Sequence, residues 1–116
     1  MTINDRTIGD ITVIDVEGRI TIDDGADQFR DRVRGLLRDG HAKLILNFRH
    51  ASYIDSTALG EIVRSYTSAT RKGGTLKLLS VPARVHELLV VTKLLSVFDL
   101  FDDEAEAIKS FGTPLA

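Results

Sequence analysis

Strands and helices alternate along this 116-residue chain in the order β(β)α–βα–βα–βα. That order predicts an α/β domain: a mixed, mostly parallel sheet of four to five strands with about four α-helices. Three observations carry it. Lys43–Phe48, reading Lys-Leu-Ile-Leu-Asn-Phe, is a nearly continuous apolar run, the pattern of a strand buried on both faces of a parallel sheet. Between the strand-like runs, apolar residues recur at helical spacing. Gly9-Asp10 supplies a two-residue turn between β-type segments, so the sheet opens on an antiparallel hairpin.

The elements follow in order. Thr7-Ile8 and the β-branched run Ile11–Val16 are the hairpin arms, the second ending at Gly18. Arg19–Ile22 reads as a short extension or bend. Ala26, Phe29, Val33, Leu36 and Leu37 mark the buried side of a first helix, closed by Gly40 just past its end. Arg30, Arg32, Arg34 and Arg38, mixed with Asp27, Asp31 and Asp39, read as its solvated face. After strand 43–48, Arg49–Ser52 is expected to be a short loop. Leu59, Ile62, Val63, Tyr66 and Ala69 form a second helix that ends at Gly73-Gly74. Thr75–Ser80 is another strand. Pro82 suits the first turn of a third helix, where its missing N–H is harmless; Val85, Leu88 and Leu89 are that helix's inner stripe. Val97–Phe101 reads as the last strand. Asp103-Glu-Ala-Glu106 opens a final helix in the manner of a capping box, and Ile108 and Phe111 continue it. The chain contains no repeat, linker or low-complexity stretch. It is expected to be one domain over 1–116, with a core of about 8–111 and loose ends at the first few residues and at 112–116.

Composition excludes several functions. Lys and Arg number 15 against 17 Asp and Glu, so the net charge is −2, unlike the strongly basic balance of most nucleic-acid binders. There is no Cys, hence no disulfide, thiolate nucleophile or zinc–thiolate site. The longest apolar run, Leu88–Val91, is far short of the ~20 residues of a membrane span. The N-terminus lacks a charged-then-apolar signal pattern. A soluble, cytoplasmic protein, monomeric by default, is expected. Phe98, Phe101 and Phe111 read as core, with an apolar patch for dimerisation as the alternative. His41, His50 and His86 have no metal-ligand spacing. A triad of Ser56, His50 and Asp55 fails because Asp55 adjoins Ser56 and cannot sit behind the imidazole. Neither a Gly-x-Gly-x-x-Gly nor a Walker pattern occurs, so no cofactor and no catalytic residue is assigned.

One segment carries chemistry: Tyr53-Ile-Asp-Ser-Thr-Ala-Leu-Gly60, at the junction of a buried strand and the second helix. In open α/β sheets the working surface lies at the carboxyl ends of the strands. A Ser at or next to a helix N-cap is explained by capping alone. Capping explains one hydroxyl, not the cluster Asp55-Ser56-Thr57. Nor does it explain Gly60 inside the helix, where Gly costs about 1 kcal/mol relative to Ala. Gly60, Glu61, Arg64, Ser65 and Ser68 are spaced to form one exposed stripe beside Ser56.

Ile54-Asp-Ser-Thr-Ala-Leu-Gly60 resembles the signature of the STAS domain family, which includes the bacterial anti-sigma factor antagonists. The flanks agree, with an apolar strand before it and Gly-Gly then a strand after it. The Val-His-Glu-Leu-Leu and Leu-Phe-Asp-type segments extend the likeness over roughly residues 8–111. The resemblance implies a STAS-like fold and a phosphorylation switch. The unmodified antagonist binds an anti-sigma factor that is also a serine kinase. Phosphorylation on Ser56 (Thr57 the second choice) releases it, and a phosphatase resets it. The implied partner-binding residues are Asp55, Ser56, Thr57, Gly60, Glu61 and Arg64. Antagonists of this family often carry Gly-x-Leu-Asp before the first helix, with that Asp near the partner's nucleotide. Here Gly18-Arg-Ile-Thr21 puts Thr21 in its place, so Thr21, Asp23 and Asp24 are the candidate kinase contacts. The alternative is a non-switching STAS interaction or scaffold module. Neither reading is an enzyme, and neither involves nucleic acid or membrane.

Overall fold

The computed structural model describes residues 1–112; 113–116, most of the expected loose tail, lie outside the described residues. Two strands, β1 (Thr2–Ile8) and β2 (Ile11–Ile20), form the antiparallel hairpin. Gly9 between them, at φ 62°, takes the positive φ that a two-residue hairpin turn requires. The N-terminal arm is longer than its sequence indicated. Pairing runs from Ile8↔Ile11 out to Thr2↔Glu17, and the terminal ammonium lies 3.0 Å from the Asp24 carboxylate. The first residues are therefore tied down, not loose.

Helix α1 (Ala26–Arg38) buries Ala26, Phe29, Val33 and Leu37. It ends as expected: Gly40, at φ 90°, donates to the Leu37 carbonyl at 3.1 Å and His41 donates to Leu36 at 2.9 Å. Strand β3 (Lys43–Ile54) has 12 residues, so the loop expected at Arg49–Ser52 is instead strand. The cause is β2. Its pairing with β3 slips register between Asp15 and Glu17 and again between Gly18 and Arg19, and the two strands stay paired to Ile20↔Ile54. The ends of both strands, and the turns that follow, are thereby delivered side by side.

The remaining elements are α2 (Ser56–Arg71), β4 (Thr75–Leu79), α3 (Ala83–Val91), β5 (Leu100–Phe101) and α4 (Glu104–Lys109). The sheet order is β1-β2-β3-β4-β5, with every pair after the hairpin parallel. The expected mixed sheet and four helices are present. Three details differ. Pro82 is the N-cap of α3, one residue before its first turn. β5 is two residues long, because Phe98 leaves the strand direction to enter the core, edge-on to Tyr66 at 5.1 Å. Phe111 lies beyond α4 in the closing turn. Asp103 caps α4 through its carboxylate, accepting from Ala105 N at 2.7 Å.

The core has two parts, one on each face of the sheet. Ile14, Val16, Leu44, Leu46, Phe48, Leu76 and Leu78 pack with Phe29 and Val33 of α1, Leu59 and Ile62 of α2, and Val85 and Leu89 of α3. Ile11, Val13, Ile45 and Leu79 pack under Ala107 of α4, with Phe101, Ile108 and Phe111 partly buried around them. The apolar run in β3 follows from this: Leu44 and Leu46 face three helices while Ile45 faces the fourth. Lys77 of β4 is buried although charged. Its ammonium donates to Ser110 Oγ at 2.7 Å and stands 4.6 Å from the Phe111 ring centre and 5.6 Å from that of Phe101.

Candidate functional site

Asp55 organises the site. It is the N-cap of α2, with Oδ1 accepting from Ala58 N at 2.8 Å. Its second oxygen, Oδ2, accepts from Ile22 N at 2.9 Å, in the turn that precedes α1. The Asp55 N–H donates to the Ile20 carbonyl at 3.2 Å. One side chain thus caps a helix and fastens the β2–α1 turn to it. Ser56 is not the cap. It is the first residue of α2 and its side chain is exposed. Thr57 is half-buried and Ala58 fully buried, so Ser56 is the open hydroxyl of the pair.

The two hydrogen bonds, from Ala58 N first and Ile22 N second, hold the Asp55 carboxyl below the usual carboxylate range. A carboxyl lowered on folding contributes stability that is complete above its unfolded value, about 3.9. The contribution is lost as pH falls through the lower, folded value. In a carbon-13 NMR titration the Asp55 carboxyl is expected to titrate below that unfolded value, with the Ile22 amide resonance following the same midpoint. An ordinary Asp midpoint, or an Ile22 amide that ignores it, contradicts the clamp.

The exposed stripe read from spacing is corrected on two residues. Glu61 is 6 % exposed and Ser65 5 %. Both lie on the side of α2 turned to α1, where they line a groove of about 290 Å³ with Arg30, Arg34, Arg64 and Ser68. Ser65 Oγ donates to the Glu61 carbonyl at 2.8 Å. Glu61 Oε1 accepts from Arg64 Nη2 at 2.7 Å, while the buried Oε2 has no partner. Of the expected stripe, Arg64 is exposed like Ser56, and Gly60 and Ser68 are half-buried, with Arg64 and Ser68 also edging the groove.

Of the candidate kinase contacts, Asp23 is exposed. Asp24 pairs with the terminal ammonium. Thr21 Oγ1 accepts from Asp24 N at 3.1 Å and so shapes the turn. Two exposed residues near this turn were given no partner-binding role at the level of sequence: Ile22, 65 % exposed, and Tyr53, 48 % exposed. The Arg19 guanidinium stands 5.1 Å from the Tyr53 ring centre. A signal existed for Ile22, an isolated apolar residue immediately before Asp23-Asp24 in a turn. Tyr53 sits in an alternating strand end and gave none. His50 is placed in β3 opposite Glu17, within the sheet. Among the described residues no helix is long and apolar enough to cross a membrane.

A five-stranded mixed sheet with an exposed serine opening the helix after its central strand defines the α/β module. The chain belongs to the STAS domain family, whose sequence profile matches residues 2–107. It is 30 % identical over 87 residues to the anti-sigma-B factor antagonist of Bacillus subtilis, covering 75 % of this chain and 78 % of that one. It is 29 % identical over 65 residues to the anti-sigma F factor antagonist of Paenibacillus polymyxa, and that match spans 56 % of each protein. A crystal structure from Thermotoga maritima, described as a candidate anti-sigma factor antagonist, superposes with a TM-score of 0.87. It is 26 % identical, over 93 % of this chain and 92 % of that one. The phosphorylated form of the Bacillus cell-fate determinant SpoIIAA gives 0.78 at 19 % identity, over 95 % and 99 % of the two chains, a likeness of fold.

Proposed function

We propose that this chain is an anti-sigma factor antagonist controlled by phosphorylation of Ser56, acting in the cytoplasm to regulate transcription by partner switching. The observation that carries the proposal is the exposed Ser56 at the first position of α2, within the Asp-Ser-Thr-Ala-Leu-Gly segment. Relatives at about 30 % identity bear the name of anti-sigma factor antagonists, which supports the reading. The surface around Ser56 suits a protein partner. Ile22 and Tyr53 supply exposed apolar area, Gly60 permits close approach, and Asp23 and Arg64 frame it with charge. Unmodified, this face binds the anti-sigma factor. In the switching step Ser56 Oγ takes the γ-phosphoryl group of ATP held by the partner kinase; ADP leaves and the hydroxyl proton is released. A phosphatase returns the serine by hydrolysis. The phosphate adds about −1.5 to −2 charges beside Asp55, which a docked partner meets as bulk and like charge.

The test is incubation with the cognate anti-sigma kinase and ATP. A mass gain of one phosphate, mapped to Ser56 and absent from Ser56→Ala, is expected, and Ser56→Ala should bind the kinase constitutively. Modification of Thr57 instead would move the switch by one residue. A second reading, a non-switching interaction module, is favoured by one observation: Thr21 stands where antagonists often place an Asp, and it is engaged within its own turn. That reading predicts partner binding indifferent to every substitution at Ser56.

A further inference from the structure

A phosphate on Ser56 would not find a vacant helix N-terminus. The Asp55 side chain already accepts the Ala58 amide, and the Asp55 carbonyl accepts the Leu59 amide at 3.0 Å. Only the first two amides of the helix are left, and the carboxylate of Asp55 adds a like charge beside them. A cationic side chain within reach would offset that charge through charge-assisted hydrogen bonds. The exposed cations on the elements that form this corner include Arg19 at the end of β2 and Arg64 in α2. Arg19 is committed to the face of Tyr53. Arg64 is differently placed. A side chain at Gly60 would come within 3.4 Å of its Nη2, so the guanidinium lies back over Gly60, toward the start of the helix. Gly60 is one helical turn, about 6 Å, from Ser56. Arg64 is exposed and held by a single hydrogen bond to Glu61, whose other carboxylate oxygen is unpartnered.

We infer that Arg64 is the phosphate-binding residue of the modified site: it leaves Glu61 and takes the phosphoryl oxygens of phosphorylated Ser56 across the gap that Gly60 leaves open. This rests on the reading of Ser56 as the modified residue. It assigns Gly60 a role in this chain, since a side chain there would push the guanidinium off the path. It also supplies the domain with a way to hold the phosphate on its own surface. Glu61 thereby loses its one partner while staying buried against α1; Arg30 on the same groove is paired with Asp27 and Asp31, which leaves Arg34 to meet it.

The experiment uses the protein with phosphoserine incorporated genetically at position 56, so no kinase is required and a failed kinase assay would not bear on it. Phosphorus-31 NMR gives the second pKa of the phosphoserine, ordinarily about 6. A guanidinium in contact lowers it. Arg64→Gln is expected to raise that value by about 0.5–1 unit relative to the parent, Arg64→Lys to keep most of the lowering, and Arg19→Gln to leave it unchanged. The Arg64 side-chain N–H resonance should shift on phosphorylation and return as the phosphate is protonated. Equal phosphoserine values in the parent and Arg64→Gln overturn the inference. So does a rise produced by Arg19→Gln instead.

Discussion

Ser56→Asp is expected to weaken binding to the cognate anti-sigma factor by about 100-fold or more while leaving the melting temperature within a few degrees of the parent. Both halves follow from where the residue sits. Ser56 is the first residue of α2 with an exposed side chain, so a carboxylate there needs no buried space and lies at the positive end of the helix dipole. The neighbouring Asp55 offsets that gain, so the net change in stability is small. At a docked interface the same charge is desolvated and stands beside a second carboxylate. Like-charge juxtaposition there costs several kcal/mol, and every 1.4 kcal/mol is tenfold in affinity. Titration calorimetry and thermal melts on one preparation check both. Native affinity in Ser56→Asp would sink the switch, and a collapsed melting temperature would mean that Ser56 has a structural duty the fold does not reveal.

Gly74→Ala is expected to destabilise the domain by about 1–3 kcal/mol, the usual cost of forcing extra atoms into a close-packed place. Gly73 and Gly74 end α2, with Gly74 N donating to the Ala69 carbonyl at 2.8 Å. The chain then enters β4 beside the segment leading into β3, where Thr75 N donates to the Ala42 carbonyl at 2.7 Å. A side-chain carbon on Gly74 would fall 2.8 Å from the Ala42 side chain and closer still to its carbonyl oxygen. Backbone atoms cannot swing aside as a flexible side chain does, so the strand entry must shift. Gly73→Ala meets no atoms within 4 Å, and its penalty comes from the positive φ of 74° alone. Denaturant unfolding should therefore rank Gly74→Ala below Gly73→Ala. The reverse order would contradict the close approach at Ala42.

Much of the fold was readable because local signals agreed with one another. The hairpin turn at Gly9-Asp10, the Gly40 and Gly73-Gly74 stops and the Asp103 cap are short-range chemistry, and each acts where it stands in the sequence. The misreadings have non-local causes. Arg49–Ser52 is polar enough to pass for a loop, yet it is strand because β2 carries two register shifts and continues as its partner. Val97–Phe101 has strand composition, but Phe98 is drawn into the core against Tyr66, which leaves β5 two residues long.

For the site, the sequence by itself determined the Asp55-Ser56-Thr57 opening of a helix after a buried strand, and with it the likeness to the STAS family that residues 2–107 bear out. The tertiary structure decided what each residue faces. Helical spacing grouped Glu61 and Ser65 with Gly60 and Arg64, but periodicity only ranks positions around an axis. Which sector is covered depends on where α1 lies, and α1 covers Glu61 and Ser65. The sequence places Ser56 at or next to the cap and gives the capping bond to its hydroxyl; the cap is Asp55. Its first oxygen takes the Ala58 amide and its second meets Ile22 N, 33 positions away in sequence. That distance is bridged by sheet register, and no local pattern encodes it. The same register brings the Ile22 turn alongside Ser56 and so makes a surface out of a motif.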